Sequence, residues 1–131
     1  MAEPDSSIAL RLELLVADLD ASADFYRRVL GFTVGTREPG GYTPMTNGAA
    51  DIALNRRANL GERHPAHVGA TDRPGRGVAI ILETDDVEAA CARVQATGWP
   101  LASPLKRQPW GQTDFAVADP DGYHLRVTSR T

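Results

Sequence analysis

The fold is decided by the stretch Leu12-Glu-Leu-Leu-Val-Ala-Asp-Leu-Asp-Ala-Ser-Ala-Asp-Phe-Tyr-Arg-Arg-Val-Leu-Gly-Phe32. Its first residues alternate in polarity, so that Leu12 and Leu14 share one face of a strand and Glu13 lies on the other. Such alternation is typical of a strand that is covered on one side only. The stretch therefore predicts a half-buried strand, over residues 8–16, at the start of a folding unit.

A helix is predicted directly after this strand. Asp20 is a candidate N-cap, because a carboxylate at that position can accept hydrogen bonds from the first free N–H groups of a helix. Ala21, Phe25 and Val29 recur four residues apart and so share one helical face. Gly31 can adopt the left-handed conformation that ends a helix. The pattern indicates an amphipathic helix that packs on the sheet.

Three short strands are expected next, near residues 31–36, 41–47 and 50–55. Turn-forming residues separate them, namely Pro39-Gly-Gly41 and Asn47-Gly48. The first half of the chain is thus predicted as a strand, a helix and three strands. A single helix covers one face of such a sheet and leaves the other face open.

The same order recurs about 67 residues later, which indicates an internal duplication. Val78, Ile80 and Leu82 form the second alternating strand, and Asp85–Gly98 reads as a second capped helix. Further strands are expected near residues 99–106, 112–118 and 123–128. The predicted organisation is one domain of residues 1–131, with a first module at about 8–55, a connector at 56–74 and a second module at 75–131.

The composition predicts one soluble domain. A chain of 131 residues with 42% hydrophobic residues can build one compact core. The net charge of -3 is spread over both signs, so neither nucleic acid nor a membrane is predicted as a partner. The sequence shows no signal-peptide pattern and no segment long enough to span a bilayer, so we expect a cytoplasmic protein. The lone Cys91 is predicted to be a buried structural thiol.

The second decisive segment is Pro109-Trp-Gly-Gln-Thr-Asp-Phe-Ala-Val-Ala-Asp-Pro-Asp-Gly-Tyr-His-Leu-Arg-Val127. Together with residues 12–32 it resembles the vicinal oxygen chelate superfamily, which includes glyoxalase I, extradiol dioxygenases, fosfomycin-resistance transferases and bleomycin-resistance proteins. The resemblance implies an α+β fold in which two βαβββ modules form a cupped mixed sheet. It also implies a homodimer whose two chains share their sites.

A metal-dependent member of this superfamily would offer His or Glu from four strand positions, because a divalent ion needs three or four converging ligands. The motifs place these positions at Arg11, Ala53, Ala79 and Arg126, with Val78 replacing Ala79 if the register slips. None of these side chains can ligate a cation, and two guanidinium groups facing one cavity would repel it. We therefore predict no metal and no other cofactor, as in the bleomycin-resistance-like members.

An atypical metal site stays open as an alternative. Strand alternation directs Glu13, Asp51 and His124 to the same concave face as the two arginines. The two carboxylates are more simply explained as partners that neutralise those arginines. The other two histidines lie in His64-Pro-Ala-His67, which offers two ligands without a third, and they are predicted to be surface loop residues.

A planar ligand is suggested by Trp110, because an indole offers a flat apolar face and one N–H donor. Residues 108–115 are similar to the corresponding stretch of bleomycin-resistance proteins; packing in a core or a dimer interface is the alternative role for the indole. Tyr42 and Met45 are expected near the mouth of the cup. A floor made positive by arginines suits a carboxylate, phosphate or phenolate. The predicted ligand-binding residues are Trp110, Arg11, Glu13, Tyr42, Met45, Arg126 and His124.

Three functions follow as hypotheses. The first is metal-independent binding and sequestration of an aromatic antibiotic or natural product by a homodimer. The alternative is a vicinal-oxygen-chelate enzyme of lyase, isomerase or dioxygenase type. It would use the atypical metal site, or Glu13 or His124 as general base beside an arginine that stabilises an oxyanion. The third is a non-catalytic partner subunit, which would expose an apolar patch.

Overall fold

The computed structural model describes residues 6–130, in which two modules have the same order of elements. The first consists of β1 (Leu12–Val16), α1 (Leu19–Arg28), β2 (Thr33–Val34), β3 (Thr43–Asn47) and β4 (Ala50–Arg56). The second consists of β5 (Ile80–Thr84), α2 (Val87–Thr97), β6 (Ser103–Arg107), β7 (Thr113–Ala118) and β8 (His124–Ser129). A turn of 3-10 helix, Arg57–Asn59, begins the connector. Within residues 6–130, neither helix has the length and apolar character needed to cross a membrane.

Each module folds into a four-stranded mixed sheet, with strand orders β1-β4-β3-β2 and β5-β8-β7-β6. In both sheets the first strand of the module pairs in parallel with its last strand, and the remaining pairs are antiparallel. This topology confirms the α+β fold and the predicted duplication. Leu12 and Ile80 start the equivalent strands, so the repeat is one residue longer than the sequence comparison predicts.

The start of α1 differs from the prediction. Asp18, not Asp20, is the N-cap: its carboxylate accepts hydrogen bonds from the backbone N–H groups of Asp20 and Ala21, at 3.0 and 3.1 Å. The helix therefore begins at Leu19, and burial of Leu19 turns Ala21 toward solvent. Asp20 instead forms an ion pair with Arg37 at 2.8 Å. Two aspartates compete for the cap, and the apolar residue between them decides which one is used.

The second helix matches its prediction within two residues. Asp86 is the N-cap and accepts a hydrogen bond from the backbone N–H of Ala89 at 2.9 Å. Gly98 ends the helix with a φ of 78°, the left-handed conformation expected there. Cys91 lies on the buried face, as predicted, and burial raises the pKa of its thiol above the usual value. This cysteine is therefore a core residue.

One hydrophobic core runs through both modules. Phe25 of α1 packs against Trp99, which follows α2, with ring centroids 4.8 Å apart. The indole of Trp99 also donates a hydrogen bond to the Ala118 carbonyl at 2.9 Å. The helix of the first module is thereby packed against elements of the second.

Buried hydrogen bonds give this packing a fixed geometry. The Tyr26 hydroxyl donates to the Asp119 carboxylate at 2.8 Å, and the Tyr123 hydroxyl donates to the Leu15 carbonyl at 2.9 Å. Both bonds join the first module to the connection between β7 and β8, one at Asp119 of the Asp-Pro-Asp-Gly turn and one at Tyr123, which follows that turn. Burial raises the pKa of both tyrosines and of Asp119. The modules are thus joined through their helix-covered sides.

We expect Tyr26→Phe to lower the free energy of unfolding by about 1–3 kcal/mol, because the buried Asp119 carboxylate would lose a hydrogen-bond donor. Urea denaturation followed by circular dichroism measures the change. Tyr42→Phe is the matched control, since the Tyr42 hydroxyl lies 3.5 Å from Nη1 of an exposed arginine. Its effect should not exceed about 0.5 kcal/mol. Equal effects of the two substitutions would contradict this account of the contact between modules.

Candidate functional site

Each sheet has one face that packs into the core and one face that no helix covers. The open face of the first sheet carries, on its strands or immediately before them, Arg11, Glu13, Tyr42, Asp51, Ala53 and Asn55. The open face of the second sheet carries Ala79, Ile81, Asp114, Ala116, His124 and Arg126. The strand alternation in the sequence therefore assigned most of the candidate residues to the correct faces.

Met45 is the exception, and its predicted place near the mouth of the cup is wrong. Its side chain is only 1% exposed and belongs to the hydrophobic core, opposite Ile52 in the β3–β4 register. Tyr42 is half-buried at the other face. The two residues are three positions apart, and an odd spacing in a strand puts side chains on opposite faces. Only Tyr42 remains a candidate for ligand contact.

The first-sheet cluster consists of Arg11, Tyr42 and Asp51, with Glu13 and Asn55 beside them. Arg11 Nε donates to Asp51 Oδ2 at 3.2 Å, and its Nη1 lies 3.5 Å from the Tyr42 hydroxyl. The hydrogen bond to Asp51 and the charge of that carboxylate raise the pKa of Arg11 further above its usual value. Asp51 therefore neutralises Arg11, as the sequence predicts.

Glu13 has a different partner from the one expected. Its carboxylate accepts a hydrogen bond from the Asn55 side-chain amide at 2.9 Å, and no arginine pairs with it in the described part of the chain. The prediction that Glu13 neutralises an arginine is therefore wrong. A neutral amide orients the carboxylate and leaves its charge uncompensated, so Glu13 stays available as an acceptor or a base.

The second-sheet cluster consists of Gln108, Asp114 and Arg126. Arg126 Nε lies 3.9 Å from Asp114 Oδ2, which is close enough for charge attraction and too far for a hydrogen bond. The other carboxylate oxygen of Asp114 accepts a hydrogen bond from Gln108 Nε2 at 2.9 Å. Sequence reasoning missed Asp114 and Gln108 as site residues. The signal was present, because an aspartate inside the apolar strand Thr-Asp-Phe-Ala-Val-Ala needs a buried partner.

Trp110 lies in the loop between β6 and β7, and 61% of it is exposed. The loop is closed by a hydrogen bond of 2.7 Å from the Gln108 N–H to the Gln112 carbonyl, and Gly111 has a φ of 100°. The indole is thus presented to solvent and is not part of the core of the described chain. Stacking on a ligand stays a prediction.

The four positions that would hold a metal prove to be structurally equivalent in pairs. Arg11 and Ala79 immediately precede the equivalent strands β1 and β5. Ala53 lies beside β1 in the parallel β1–β4 register, and Arg126 lies beside β5 in the parallel β5–β8 register. In a homodimer, a site built from one module of each chain would contain the same four residue types as a site built from both modules of one chain. Because neither guanidinium nor methyl groups ligate cations, these residues do not fit a divalent metal.

The atypical site is not assembled within the chain either. Across residues 6–130, no group of three or more His, Cys, Asp or Glu side chains lies close enough to hold a metal ion. His64 Nδ1 accepts a hydrogen bond from the Ala66 N–H at 3.0 Å, and His67 Nδ1 lies 2.9 Å from the Leu60 carbonyl. The two connector histidines therefore make local contacts within their own loop.

The two clusters remain separate within the described chain, because no hydrogen bond or ion pair joins one to the other. A cavity of about 560 Å³ lies between the modules, where the end of α1 and the β3–β4 turn face β5 and α2. None of the predicted site residues lines it. The candidate site thus consists of two half-sites on two open faces.

Comparison with known proteins agrees with this architecture. A model of the Glyoxalase/Bleomycin resistance protein/Dioxygenase superfamily matches residues 8–127. A lactoylglutathione lyase of Neisseria meningitidis is 34% identical, over 92% of this chain and 89% of its own length. A lactoylglutathione lyase of Pseudomonas putida is 31% identical, over 90% of this chain and 82% of its own length.

Solved structures share the fold. A glyoxalase/bleomycin resistance protein/dioxygenase from Nocardioides superposes with a TM-score of 0.76 at 25% identity, covering 97% of this chain and 85% of its own. TioX from Micromonospora sp. ML1 superposes with a TM-score of 0.77 at 24% identity, covering 95% of this chain and all of its own. The named relatives favour the enzyme hypothesis over sequestration, and binding of the bleomycin type gains no support. The chain belongs to the glyoxalase/bleomycin resistance protein/dioxygenase superfamily.

Proposed function

We propose that the chain is an enzyme of this superfamily that acts on a small organic substrate without a resident divalent metal. Its similarity to lactoylglutathione lyases extends over nearly the full length of both proteins, which supports an enzyme. The single observation that carries the metal-independent part is the set of residues at the four ligand positions, Arg11, Ala53, Ala79 and Arg126. In this proposal the reaction class is that of the relatives, and an arginine guanidinium, in place of a metal ion, binds the negative charge that develops on the substrate.

In the proposed reaction, a base removes a proton from the carbon next to a carbonyl group, and the electron pair moves to the carbonyl oxygen. Guanidinium N–H groups then bind the oxyanion, the task that a metal performs as a Lewis acid. The proton returns to a neighbouring atom in an isomerase, or a bond to a leaving group breaks in a lyase. Arg126 is the proposed electrophile, because its guanidinium makes no hydrogen bond within residues 6–130.

Two side chains can serve as the base. His124 lies two residues from Arg126 on the same strand face, a separation of about 7 Å along β8. Glu13 lies two residues from Arg11 on the open face of the other sheet, where Asn55 orients its carboxylate. Both bases are exposed. Each half-site thus holds one arginine and one base on the same face.

A homodimer completes this proposal, because each open face in the chain lacks an opposing wall. Strands β1 and β5 are edge strands, each paired on one side only. Large apolar side chains are exposed at or next to these edges: Ile8, Leu10 and Val78. Exposed apolar residues beside unpaired strand edges favour association with another chain. A second copy would cover them and bring an open face of one module opposite that of the other.

Sequestration of an aromatic ligand remains a second candidate, and Trp110 is the observation that favours it. The indole is 61% exposed on a short loop that hydrogen bonds hold closed. A flat apolar face in that position suits stacking on a planar heteroaromatic molecule. A binder of this kind would need neither a base nor a leaving group.

We expect elemental analysis to find substoichiometric divalent metal, and we expect EDTA or added Zn²⁺ or Ni²⁺ to leave turnover unchanged. The reason is that none of the four positions offers a donor. The matched control is the variant Arg11→His, Ala53→Glu, Ala79→His, Arg126→Glu, which installs four donors and should gain Zn²⁺ binding by calorimetry. Near-stoichiometric metal in the wild type, with turnover lost on its removal, would overturn metal independence.

We expect turnover of lactoylglutathione or of a small 2-oxo or 2-hydroxy acid, and a loss of about 100-fold or more in kcat with His124→Ala or Glu13→Gln. The variant that retains its activity identifies the side chain that is not the base. Absence of turnover with every compound of the panel would contradict the proposal that the protein is an enzyme. If an aromatic antibiotic then quenched tryptophan fluorescence in the wild type and not in Trp110→Phe, sequestration would replace the proposal.

We expect light scattering after gel filtration to give the mass of two chains. Leu10→Asp should shift the protein to one chain, because a charge would enter the proposed contact beside β1. Leu105→Asp is the matched control: Leu105 is also exposed but lies on β6, at the opposite edge of its sheet from β5. A wild type with the mass of one chain would contradict the dimer.

A further inference from the structure

We propose that Arg126 is a carboxylate-binding residue, and that the ligand of the second-sheet cluster is a monocarboxylate attached to an apolar body. This deepens the proposed function by naming the chemical class of the substrate. In a 2-oxo carboxylate the carboxylate is attached to the carbon that bears the developing oxyanion, so one guanidinium can bind both groups. Only the identification of this ligand as the substrate rests on the proposed function. Binding of a carboxylate to Arg126 can be measured without turnover.

The first observation is that the Arg126 guanidinium has unused donors. Its Nε is the one buried side-chain nitrogen or oxygen without a hydrogen-bond partner among the residues that the structure describes. No hydrogen bond joins its two Nη groups to any residue of the range 6–130, and 35% of the side chain is exposed. Buried side-chain donors in proteins are nearly always hydrogen-bonded, so a buried Nε without a partner is unusual. These donors are free for a ligand.

The second observation is the contrast with the other arginine of the open faces. Arg11 already donates to Asp51 and lies close to the Tyr42 hydroxyl, and its side chain is 61% exposed. The charge of Arg11 is therefore compensated, and some of its guanidinium N–H donors are already in use. Of the two arginines, Arg126 is the one whose hydrogen-bonding capacity is left open.

The third observation fixes the charge of the ligand. The side chain of Asp114 is 6% exposed, and its Oδ2 lies 3.9 Å from Arg126 Nε. Gln108 holds its other oxygen, so the carboxylate stays in place behind the guanidinium. The Arg126–Asp114 pair has almost no net charge, and the exposed Lys106, the register partner of Asp114 on β6, adds one positive charge to the same face. One uncompensated charge matches a monoanion better than a dianionic phosphate. A planar monoanion also matches the parallel N–H donors of the Nη edge.

The fourth observation concerns the rest of the ligand. Arg126 lies between Ile81 of β5 and Ala116 of β7 in the sheet register. Ile81 is 47% exposed, and the loop that follows Gln108 carries the exposed Trp110. Arg126 is therefore flanked in the sheet by an apolar residue on each side. This arrangement suits a carboxylate whose carbon skeleton is apolar or aromatic.

The experiment follows the side-chain Nε–H signal of Arg126 in ¹⁵N-labelled full-length protein during titration with benzoate. Benzamide has the same shape without the charge, and inorganic phosphate supplies a dianion. We expect benzoate to shift this signal with saturation and to bind at least about tenfold more tightly than benzamide or phosphate. No saturable shift with benzoate overturns the proposal, and so does binding of benzamide or phosphate at equal or greater strength.

Substitutions test the residue itself. Arg126→Gln should weaken benzoate binding at least about tenfold, and Arg126→Lys should weaken it too, because it keeps the charge and loses the fork. Arg107→Gln is the matched control, since this exposed arginine pairs with Thr113 and so faces away from Asp114. Unchanged binding in Arg126→Gln, with a native circular dichroism spectrum, overturns the proposal. Arg126→Lys provides the same test if the glutamine variant does not fold.

The outcome separates this inference from the proposed function. Benzoate binding that depends on Arg126 supports carboxylate binding. If the same protein turns over no compound of the panel, the proposal that it is an enzyme is excluded. Turnover that survives in Arg126→Gln with unchanged KM still supports an enzyme, but it overturns both roles proposed for Arg126, binding of the oxyanion and binding of the carboxylate.

Discussion

The contact between the two modules is the constraint on which the rest of the structure depends. The Tyr26–Asp119 and Tyr123–Leu15 hydrogen bonds lie in a continuous core that both helix-covered sheet faces share. A sheet that uses one face for this core has only its other face left for function. The position of the candidate site is therefore a consequence of where the helices pack, and the polar residues of the open strand faces are the ones that remain to meet a ligand.

On those faces, the two arginines have different surroundings although they belong to corresponding open faces. Asp51 is in hydrogen-bonding contact with Arg11 and cancels much of its charge locally. Asp114 lies near Arg126, but Gln108 holds one of its oxygens and the remaining gap is 3.9 Å. A difference of less than 1 Å in one ion pair thus separates an arginine with a structural partner from one with free donors.

Much of the fold could be predicted because strand alternation and helix spacing are local properties of the chain. The same alternation assigned Arg11, Glu13, His124 and Arg126 to the open faces. It failed for Met45, where two residues at an odd spacing were given one face. Capping preferences alone could not decide between Asp18 and Asp20 as the N-cap of α1, because either carboxylate can accept hydrogen bonds from the first N–H groups. The partners of Glu13 and Arg126 were out of reach, since Asn55 and Asp114 lie on other strands and their distances depend on tertiary packing.

The two modules distribute side-chain volume differently over their open faces. In the first module a long arginine precedes the first strand and the small Ala53 lies on the last strand; in the second module the small Ala79 comes first and the long Arg126 lies on the last strand. Each module therefore places one long side chain and one methyl group on its open face, in opposite order. A methyl group fills far less of the space above a sheet than an arginine does, so the alanine of each half-site marks its low position and the arginine its raised one.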